Sequence, residues 1–512
     1  MKILNLFLLC IALFQSAISL PAASPGPPFA LQLAPQSLRS DELTLFWDKV
    51  RIPEGTVTYE VVRDGKVIGS TDKTFATASG NTPGREHLWS IRALVPGREA
   101  PLVSNSLKLT MKDEEPVISV LDHGAVGDGK TLDTEAIQAA IEACPKGGVV
   151  RIPKGTFLSG ALFLKSDMTL EIGEGGVLKG STNLADYEPL ILNRFEGWEL
   201  ETYASLINAG KLDRNGPANV ENISIRGRGT ISGGGEVLGN AMIEARGLRG
   251  RGRLICIMNA RNVEFQGLTL EETPCWTLHY IYSENVTINN LTFHSNVRNG
   301  DGIDPDSSVN SYIFNCTFTN DDDCIAIKSG KNPEGNVVNR PTENVRIVGC
   351  NFIKGHGISI GSEMSGGVRN VLVEDCVAGD LLNGLQVKGT KDRGGFVEDV
   401  VVRDCDLRKI SILTDLAYNN DGEPAPEQPV FRNFRFLDLD MSQADPSKPV
   451  IIVNGFPDEG HETRDLLFEN IVTPEVAVVI VDRAEDVTFR NVQSENGTRP
   501  IYEVTRSEGI DY

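Results

Sequence analysis

The sequence is short of positive charge. Its 512 residues include 49 lysines and arginines against 70 aspartates and glutamates, which gives a formal net charge of −21. The summed field of so acidic a chain repels phosphate, so we predict neither nucleic acid nor a membrane surface as a partner. Aromatic residues are also scarce, at 6%, whereas glycine occurs 51 times. This composition favours many tight turns over a bundle of helices.

Motifs that would hold a metal ion or a nucleotide are missing as well. The chain has no CxxC pair and no cluster of Cys and His with zinc spacing. The glycine-rich segment 124–129 lacks the spacing of a phosphate loop. We therefore predict no metal and no cofactor. Some cysteines recur in one local context, which predicts a buried stack of small side chains, with one or two disulfides as the alternative; they are Cys316, Cys350, Cys376 and Cys405.

Residues 1–23 have the composition of a secretory signal peptide. Lys2 gives a short positive start, and the apolar run 3–14 is too short to span a bilayer. Residues 17–19 fit a cleavage site. A membrane anchor and a lipidated Cys10 are weaker alternatives. We therefore predict a secreted protein, either extracellular or periplasmic, with no membrane as a partner.

Residues 24–112 contain short runs of alternating apolar and polar residues, which predict antiparallel strands. An Arg-Asp-Gly-Lys sequence at 63–66 has the composition of a hairpin turn. About 90 residues of short strands around Trp47 favour a β-sandwich, and the pattern resembles a fibronectin type III module. No catalytic constellation is visible in it, so we predict a spacer or docking module.

Residues 113–512 repeat a short unit in which Asn or Asp precedes alternating apolar residues. Such units begin, for example, at Asn262 and Asn285, 23 residues apart. Almost all units predict short strands with no helix between them, which excludes βαβ units. Coils of about 20 to 30 residues stack, bury a continuous core and pair their strands in parallel. The predicted fold class is all-β, a parallel β-helix preceded by the small β-sandwich, with a helix at 134–142 capping its N-terminal end.

Segments of this coil can be aligned so that each has an apolar residue in third position; they are 301–304, 323–326, 356–359 and 383–386. Side chains alternate faces along a strand, so the third residues are predicted to point inward and the fourth residues outward. Neighbouring strands lie about 4.8 Å apart, so one outer face is predicted to hold several polar side chains within roughly 15 Å. They are Asp301, Asp322, Asp323, His356 and Lys388.

This predicted face holds at least three carboxylates, an imidazole and an ammonium group. Glycoside hydrolysis needs paired carboxylates, because one acid protonates the leaving oxygen while another carboxylate activates water. Crowding raises the pKa of at least one acid, since like charges disfavour ionisation, so a proton donor can persist near neutral pH. An aspartate cluster can instead solvate a turn or bind calcium, but the aligned register of all the segments favours catalysis.

These motifs give residues 117–512 a resemblance to the polygalacturonases of glycoside hydrolase family 28. The segments that carry it are 299–304 (NGDGID), 322–330 (DDCIAIKSG), 355–357 (GHG) and 386–388 (QVK). The segments 194–197 (RFEG) and 360–368 (IGSEMSGGV) resemble the exo-acting bacterial branch of the family, where a fibronectin-like module also fits. The resemblance implies a right-handed parallel β-helix of the pectin-lyase type.

The resemblance also implies an enzyme that hydrolyses the α-1,4-galacturonosidic bonds of a pectic polysaccharide or oligosaccharide, from chain ends and with inversion. Asp322 is the implied general acid, and Asp301 and Asp323 hold and deprotonate the attacking water. His356 tunes the acid or orients the sugar. No metal is needed, and we expect a monomer. The predicted substrate-binding residues are Lys388, for a galacturonate carboxylate, with Gln386, Asp304, Lys328 and Arg298.

Three positions depart from the family pattern. Gly300 replaces the usual Thr, Asp321 replaces the Gly before the acidic pair, and Gln386 replaces an Arg. Gln386 matters most, because a neutral amide lacks the bidentate cationic fork that arginine offers a carboxylate. Arg393 and Arg298 are candidates to compensate for it.

Several alternative functions fit the same motifs. A hydrolase of rhamnogalacturonan or of another decorated pectic oligosaccharide, a pectate lyase and a non-catalytic polysaccharide binder all compete with the main interpretation. Exo action needs a groove that is closed at one end, and the insertions 187–219 and 233–253 are long enough to close it. Candidates for sugar stacking, with core packing as the alternative, are Trp198, Trp276 and Tyr418.

Overall fold

The computed structural model describes residues 28–52, 55–414 and 421–512. The predicted signal peptide, Cys10 and Tyr418 lie outside the described residues. Among the helices of the described ranges, none combines the length and the hydropathy that a membrane span requires.

The N-terminal part, which we call the module, consists of antiparallel strands. One sheet contains Leu31–Leu33, Leu43–Trp47 and Phe75–Ala78, and the other contains Thr58–Arg63, Lys66–Thr71, Glu86–Leu94, Leu102–Val103 and Leu107–Thr110. Trp47 and Trp89 are fully buried in its core. This arrangement agrees with the predicted β-sandwich, while the boundary between residues 112 and 113 stays a prediction.

The rest of the chain forms a parallel β-helix, as predicted, with three parallel sheets, two of which extend to the last coils. The strands of sheet A are Val117–Ser119, Gly148–Ile152, Met168–Ile172, Val220–Gly227, Ala260–Gln266, Glu284–Asn289, Val309–Phe314, Thr342–Val348, Val368–Glu374, Phe396–Arg403, Val430–Asp440, Thr463–Thr473, Ala484–Ser494 and Glu508–Asp511. The strands of sheet B are Asp128–Leu132, Gly155–Ser159, Gly176–Gly180, Thr230–Ser232, Thr269–Glu271, Thr292–Ser295, Thr317–Asn320, Asn351–Gly355 and Val377–Leu381.

Sheet C carries the segments that the sequence analysis aligned. Its strands are Leu162–Leu164, Ile207–Ala209, Ile255–Met258, Leu278–Ile281, Ile303–Asp306, Ile325–Ile327, Ile358–Ile360, Leu385–Lys388, Ile410–Leu413, Ile451–Asn454, Val478–Asp482 and Ile501–Thr505. A separate antiparallel hairpin pairs Ile191–Phe195 with Trp198–Thr202.

Helices occur between and before the coils. The α-helices are Thr134–Ala143, Gly235–Arg246 and Glu334–Val338, and the 3-10 helices are Val120–His123, Leu184–Tyr187 and Leu248–Gly250. The first α-helix buries Ile137, Ala140 and Ile141 in the core of the first coils. It covers the N-terminal end of the stack, as the predicted cap requires.

The Asn that begins many of the repeated units has a structural reason. In successive coils it adopts a left-handed conformation, with φ between 56° and 62°, which Asn tolerates better than most residues. Its side-chain amide donates a hydrogen bond of 2.9 to 3.2 Å to the Asn oxygen of the preceding coil. The members of this ladder are Asn222, Asn262, Asn285, Asn310, Asn344 and Asn370. The ladder turns the backbone at the same point in each coil and fixes the register.

Inside the coils, similar side chains stack from one coil to the next. Phe318 lies between Phe293 and Phe352, with ring centroids 4.7 and 5.2 Å away. The recurring cysteines are buried free thiols, so the predicted stack is confirmed; they are Cys316, Cys350, Cys376 and Cys405.

The module packs against sheet A and the residues that directly follow its strands. Phe46 and Phe75 contact Phe314, with ring centroids 5.8 and 5.1 Å away. Further polar contacts reach successive coils; they join Arg39 to Glu264, Thr44 to Asn289, Lys49 to Asp375 and Asp404, and Arg51 to Asp438.

Candidate active site

The register of sheet C is the one that the sequence pattern predicts. Ile303 pairs with Ile325, Ile325 with Ile358, and Ile358 with Leu385. These residues are buried, with 0 to 1% of their surface exposed. The polar residues that precede these strands are therefore brought together on one outer face, at the amino-terminal ends of the strands.

The two neighbouring aspartates of this face differ in exposure. The Asp322 side chain is 27% exposed, whereas that of Asp323 is 4% exposed. His356 lies beside both, with its Nδ1 3.2 Å from an oxygen of Asp322 and 3.5 Å from one of Asp323. The hydrogen bonds to Asp322 and Asp323 raise the pKa of His356 to about 9. Asp322 is thus the carboxylate that faces solvent, next to an imidazolium.

Asp323 is held in its ionised form. Burial alone would raise the pKa of Asp323, but the Lys388 ammonium, together with His356, holds that pKa well below its usual range. Lys388 Nζ lies 2.8 Å from one oxygen of Asp323. Ser359 and Gln386 donate hydrogen bonds to the other oxygen at 2.6 and 3.3 Å. Asp323 therefore supplies a fixed negative charge beneath the exposed Asp322.

A second carboxylate pair lies one strand away and shares a buried lysine. Lys328 Nζ is 3.4 Å from both Asp301 and Asp304, and 3.6 Å from Glu363. Burial raises the pKa of Asp304 to about 7, although Lys328 opposes the shift. Burial and the neighbouring carboxylates of Asp304 and Asp322 raise the pKa of Asp301 well above its ordinary value. This pair therefore retains a proton to a higher pH than ordinary carboxyl groups do.

Lys328 stays charged in this setting. Burial alone would lower the pKa of Lys328, but Glu363, Asp301 and Asp304 together outweigh burial and raise it. The ammonium also lies 4.5 Å from the centre of the Trp276 ring, an arrangement that favours a cation.

The structure brings together all but one of the predicted site residues. Arg298 is the exception, because its side chain makes no hydrogen bond or ion pair with the other predicted residues in the described part of the chain. It is exposed in a turn, where its carbonyl accepts a hydrogen bond from Arg251. Asp304 is fully buried, so its contact is with Lys328 and not with the surface that a substrate reaches. The substrate-binding and catalytic roles of these residues stay predictions. Arg393 is also fully buried, and it donates to the Ser362 carbonyl.

Two contributors to the site were not recognised in the sequence. Ser359 was placed on the outer face by strand alternation, but without a role, and it hydrogen-bonds Asp323. Glu363 lies in the loop after the strand, where alternation gives no signal, and it neutralises Lys328. Trp276 is 3% exposed, so it packs in the interior instead of offering a free face for sugar stacking.

The hairpin 191–202 closes the carboxyl-terminal ends of the sheet C strands. Its Arg194 is fully buried and lies 2.7 Å from Asp306, the last residue of its strand. Gly197 occupies the turn with φ of 78° and accepts a hydrogen bond from the Lys331 N–H at 3.3 Å. The hairpin is therefore fixed to the β-helix and walls off one side of the site. The hairpin lies within the insertion 187–219, which was predicted to close the groove.

Three groups of the site could also hold a cation. The ligand atoms of Asp322, Asp323 and His356 lie within 4.8 Å of one another. A metal ligand must be a neutral imidazole, whereas the two carboxylates keep His356 charged up to a pKa of about 9. A metal ion would have to displace that proton, so the chemistry of this donor set opposes it.

His356 offers a direct test of this electrostatic arrangement. Its imidazole is expected to titrate near pH 9, while burial lowers the pKa of His279 to about 4. The folded-state pKa of His356 exceeds its unfolded value of 6.5, so its contribution to stability is complete below pH 6.5 and is lost as the pH rises through 9. NMR titration of the imidazole nitrogens, assigned with His356→Gln, measures both values. A His356 pKa near 6.5 would contradict the described contacts.

An exposed carboxyl group, a carboxylate held ionised and a carboxyl group with a raised pKa on one face of a β-helix can supply the acid and the base for cleaving a glycosidic bond. These features define the class of glycoside hydrolases. The family model of glycosyl hydrolases family 28 matches residues 147–448, which is more than half of the chain. The chain belongs to this family, as its motifs predicted.

Individual relatives extend the match over nearly the whole chain. The chain is 27% identical to the exo-poly-alpha-D-galacturonosidase of Dickeya chrysanthemi, over 93% of this chain and 92% of that protein. An exopolygalacturonase structure from Thermotoga maritima has a TM-score of 0.62 at 28% identity, and covers 74% of this chain and 93% of that one. The family 28 exopolygalacturonase of Yersinia enterocolitica has a TM-score of 0.81 at 24% identity, over 94% and 99% of the two chains, which supports the fold.

Proposed function

We propose that the protein is a secreted exo-acting hydrolase of the α-1,4-galacturonosidic bonds of pectin. The observation that carries this proposal is the cluster of Asp301, Asp322 and Asp323 beside the fixed hairpin. The similarity to the Dickeya exo-poly-alpha-D-galacturonosidase supports the same substrate class. Secretion, to the periplasm or the medium, rests on the composition of residues 1–23.

In this proposal Asp322 is the general acid, because it is the exposed carboxyl of the pair. After it protonates the leaving oxygen, the imidazolium of His356 stabilises the carboxylate that remains. Asp301 and Asp323 hold the water on the opposite side of the sugar and take its proton. In its ionised form Asp301 is the stronger base of the two, because its pKa is raised. The charge of Asp323 stabilises the cationic character of the transition state. Attack opposite to the leaving group gives inversion.

The hairpin 191–202 accounts for exo action. It closes the side of the site at the carboxyl-terminal ends of the strands, through Arg194 and Gly197. A polysaccharide cannot continue through this wall, so one chain end must lie against it. The remaining units leave over the amino-terminal ends of the strands.

The products formed from polygalacturonate test this proposal. Mass spectrometry with excess chelator present is expected to detect saturated monomeric galacturonate from the first time points. Early accumulation of longer oligomers would contradict exo action, and unsaturated products would indicate a lyase. If no product forms, polygalacturonate is not the substrate, and rhamnogalacturonan and xylogalacturonan oligosaccharides are the next to assay, with Gln386 as the suspected cause.

A further inference from the structure

A groove of about 550 Å³ begins at His356 and runs away from the hairpin. It lies over the turns that precede the sheet C strands, on the side opposite to the wall. We call it the basic groove and define it by Lys354, Leu382, Arg408, Lys409 and Lys448; carboxylates that also line it are Asp321, Asp380 and Asp445. The cations outnumber the carboxylates of its lining, although the chain as a whole has a net charge of −21.

Most of these cations are already engaged. Lys354 pairs with Asp321, and Lys448 lies 3.2 Å from Asp445. Arg408 donates hydrogen bonds to two backbone carbonyls. Lys409 differs, because it has no carboxylate partner in the described part of the chain, and burial and the neighbouring Lys448 lower its pKa.

The backbone of Lys409 is fixed in place. Its carbonyl accepts hydrogen bonds from the N–H groups of Gly384 and Leu385 at 2.9 and 3.1 Å. It directly precedes Ile410, which pairs with Leu385, and Leu385 pairs with Ile358. Lys409 is therefore two strand spacings, about 10 Å, along the β-helix from Gly357. A ligand that reaches both Asp322 and Lys409 must extend beyond the bond that is cleaved.

The cations inside the site already have carboxylate partners in the protein. Lys388 is engaged by Asp323, and Lys328 by Asp301 and Asp304. Gln386 carries no charge and donates to Asp323. A polyanionic substrate that extends beyond this cluster therefore needs further positive partners outside it.

We infer that the basic groove, with Lys409 as its anchor, binds the carboxylate of a galacturonate unit beyond the pair of units joined by the cleaved bond. This inference rests on the proposed function. Burial strengthens an ion pair with an ammonium that has no competing partner. Leu382, which is 61% exposed at the same groove, offers an apolar surface to the C–H face of a sugar ring.

Binding of oligogalacturonates of different lengths tests the inference. Calorimetric titration of an Asp322→Asn protein, in which hydrolysis is suppressed, gives the Kd of digalacturonate and of trigalacturonate. Adding Lys409→Gln is expected to raise the Kd of trigalacturonate about tenfold, which corresponds to about 1.4 kcal/mol, and to leave that of digalacturonate unchanged. Lys409→Arg keeps the charge and is expected to keep the affinity. Lys108→Gln, on the module and 69% exposed, is the control for loss of one positive charge.

The possible results of this titration distinguish the inference about the basic groove from the proposed function. An equal effect of Lys409→Gln on both lengths, or no effect on either, would overturn the inference. If the wild-type protein hydrolyses no galacturonide but trigalacturonate binding still depends on Lys409, the proposed function fails and the groove stands. Failure of both ligands to bind would overturn both proposals.

Discussion

Replacement of Asp322 by asparagine is expected to lower kcat on polygalacturonate by about 10²- to 10⁴-fold, the usual contribution of a positioned general acid. The amide keeps the size of the carboxyl group but cannot donate the proton that the leaving oxygen needs. Because the Asp322 side chain is 27% exposed, the variant is expected to fold and to melt close to the wild-type temperature. A reducing-sugar assay and a thermal unfolding scan measure the two effects.

Asp321 provides the matched control. It precedes Asp322 in the chain, is 41% exposed and pairs with Lys354 instead of with the cluster. Asp321→Asn is therefore expected to leave kcat unchanged, since exposed ion pairs contribute little. Equal losses in the two variants would mean that negative charge near the groove, and not acid catalysis, governs the rate.

Lys328→Met is expected to have the largest effect on stability, with a loss of about 3–5 kcal/mol in the free energy of unfolding. The substitution leaves Asp301, Asp304 and Glu363 buried without the ammonium that lies 3.4 to 3.6 Å from them. Activity is expected to fall as well, because Asp301 then holds its proton too tightly to act as a base. Guanidinium unfolding, monitored by tryptophan fluorescence, measures the loss.

The loss of stability caused by Lys328→Met is expected to be larger at higher pH. The pKa of Asp304 is about 7 in the folded protein, against an ordinary value of 3.8. The folded state therefore binds more protons between these values, and stability falls as the pH rises. Without Lys328 this fall becomes steeper, and Lys328→Met is expected to be more damaging at pH 8 than at pH 5. The double variant Lys328→Met/Asp304→Asn should recover part of the stability. A double variant no more stable than the single one would contradict this account.

The β-helix and its register could be predicted because both have local causes. Alternation along a strand has a period of two residues, and Asn at the turn has few substitutes that tolerate a positive φ. These two signals placed Ile303, Ile325 and Ile358 in one inward row. Asp301, Asp323 and His356 precede these strands, so the stacking of the coils at this register brings them together.

The pairing of charges within that face could not be predicted. The predicted role of Lys388 in binding a galacturonate carboxylate stays a prediction, but its contact with Asp323 was not foreseen. Its partner depends on the spacing between coils and on the length of the side chain, and strand periodicity reports neither. Likewise, the basic groove combines turns from Lys354 to Lys448, which come together only when several coils are stacked.

The docking of the module along sheet A has a consequence for cooperativity. Coils of a solenoid contact only their neighbours, so terminal coils can open one after another with little cost to the rest. The module instead contacts coils from Glu264 to Asp438 through one compact body. Opening one of these coils also breaks its contacts with the module, which contacts the coils on either side as well. The coils that carry the aspartates are therefore expected to unfold together. A solenoid without such a module would instead open stepwise from its ends.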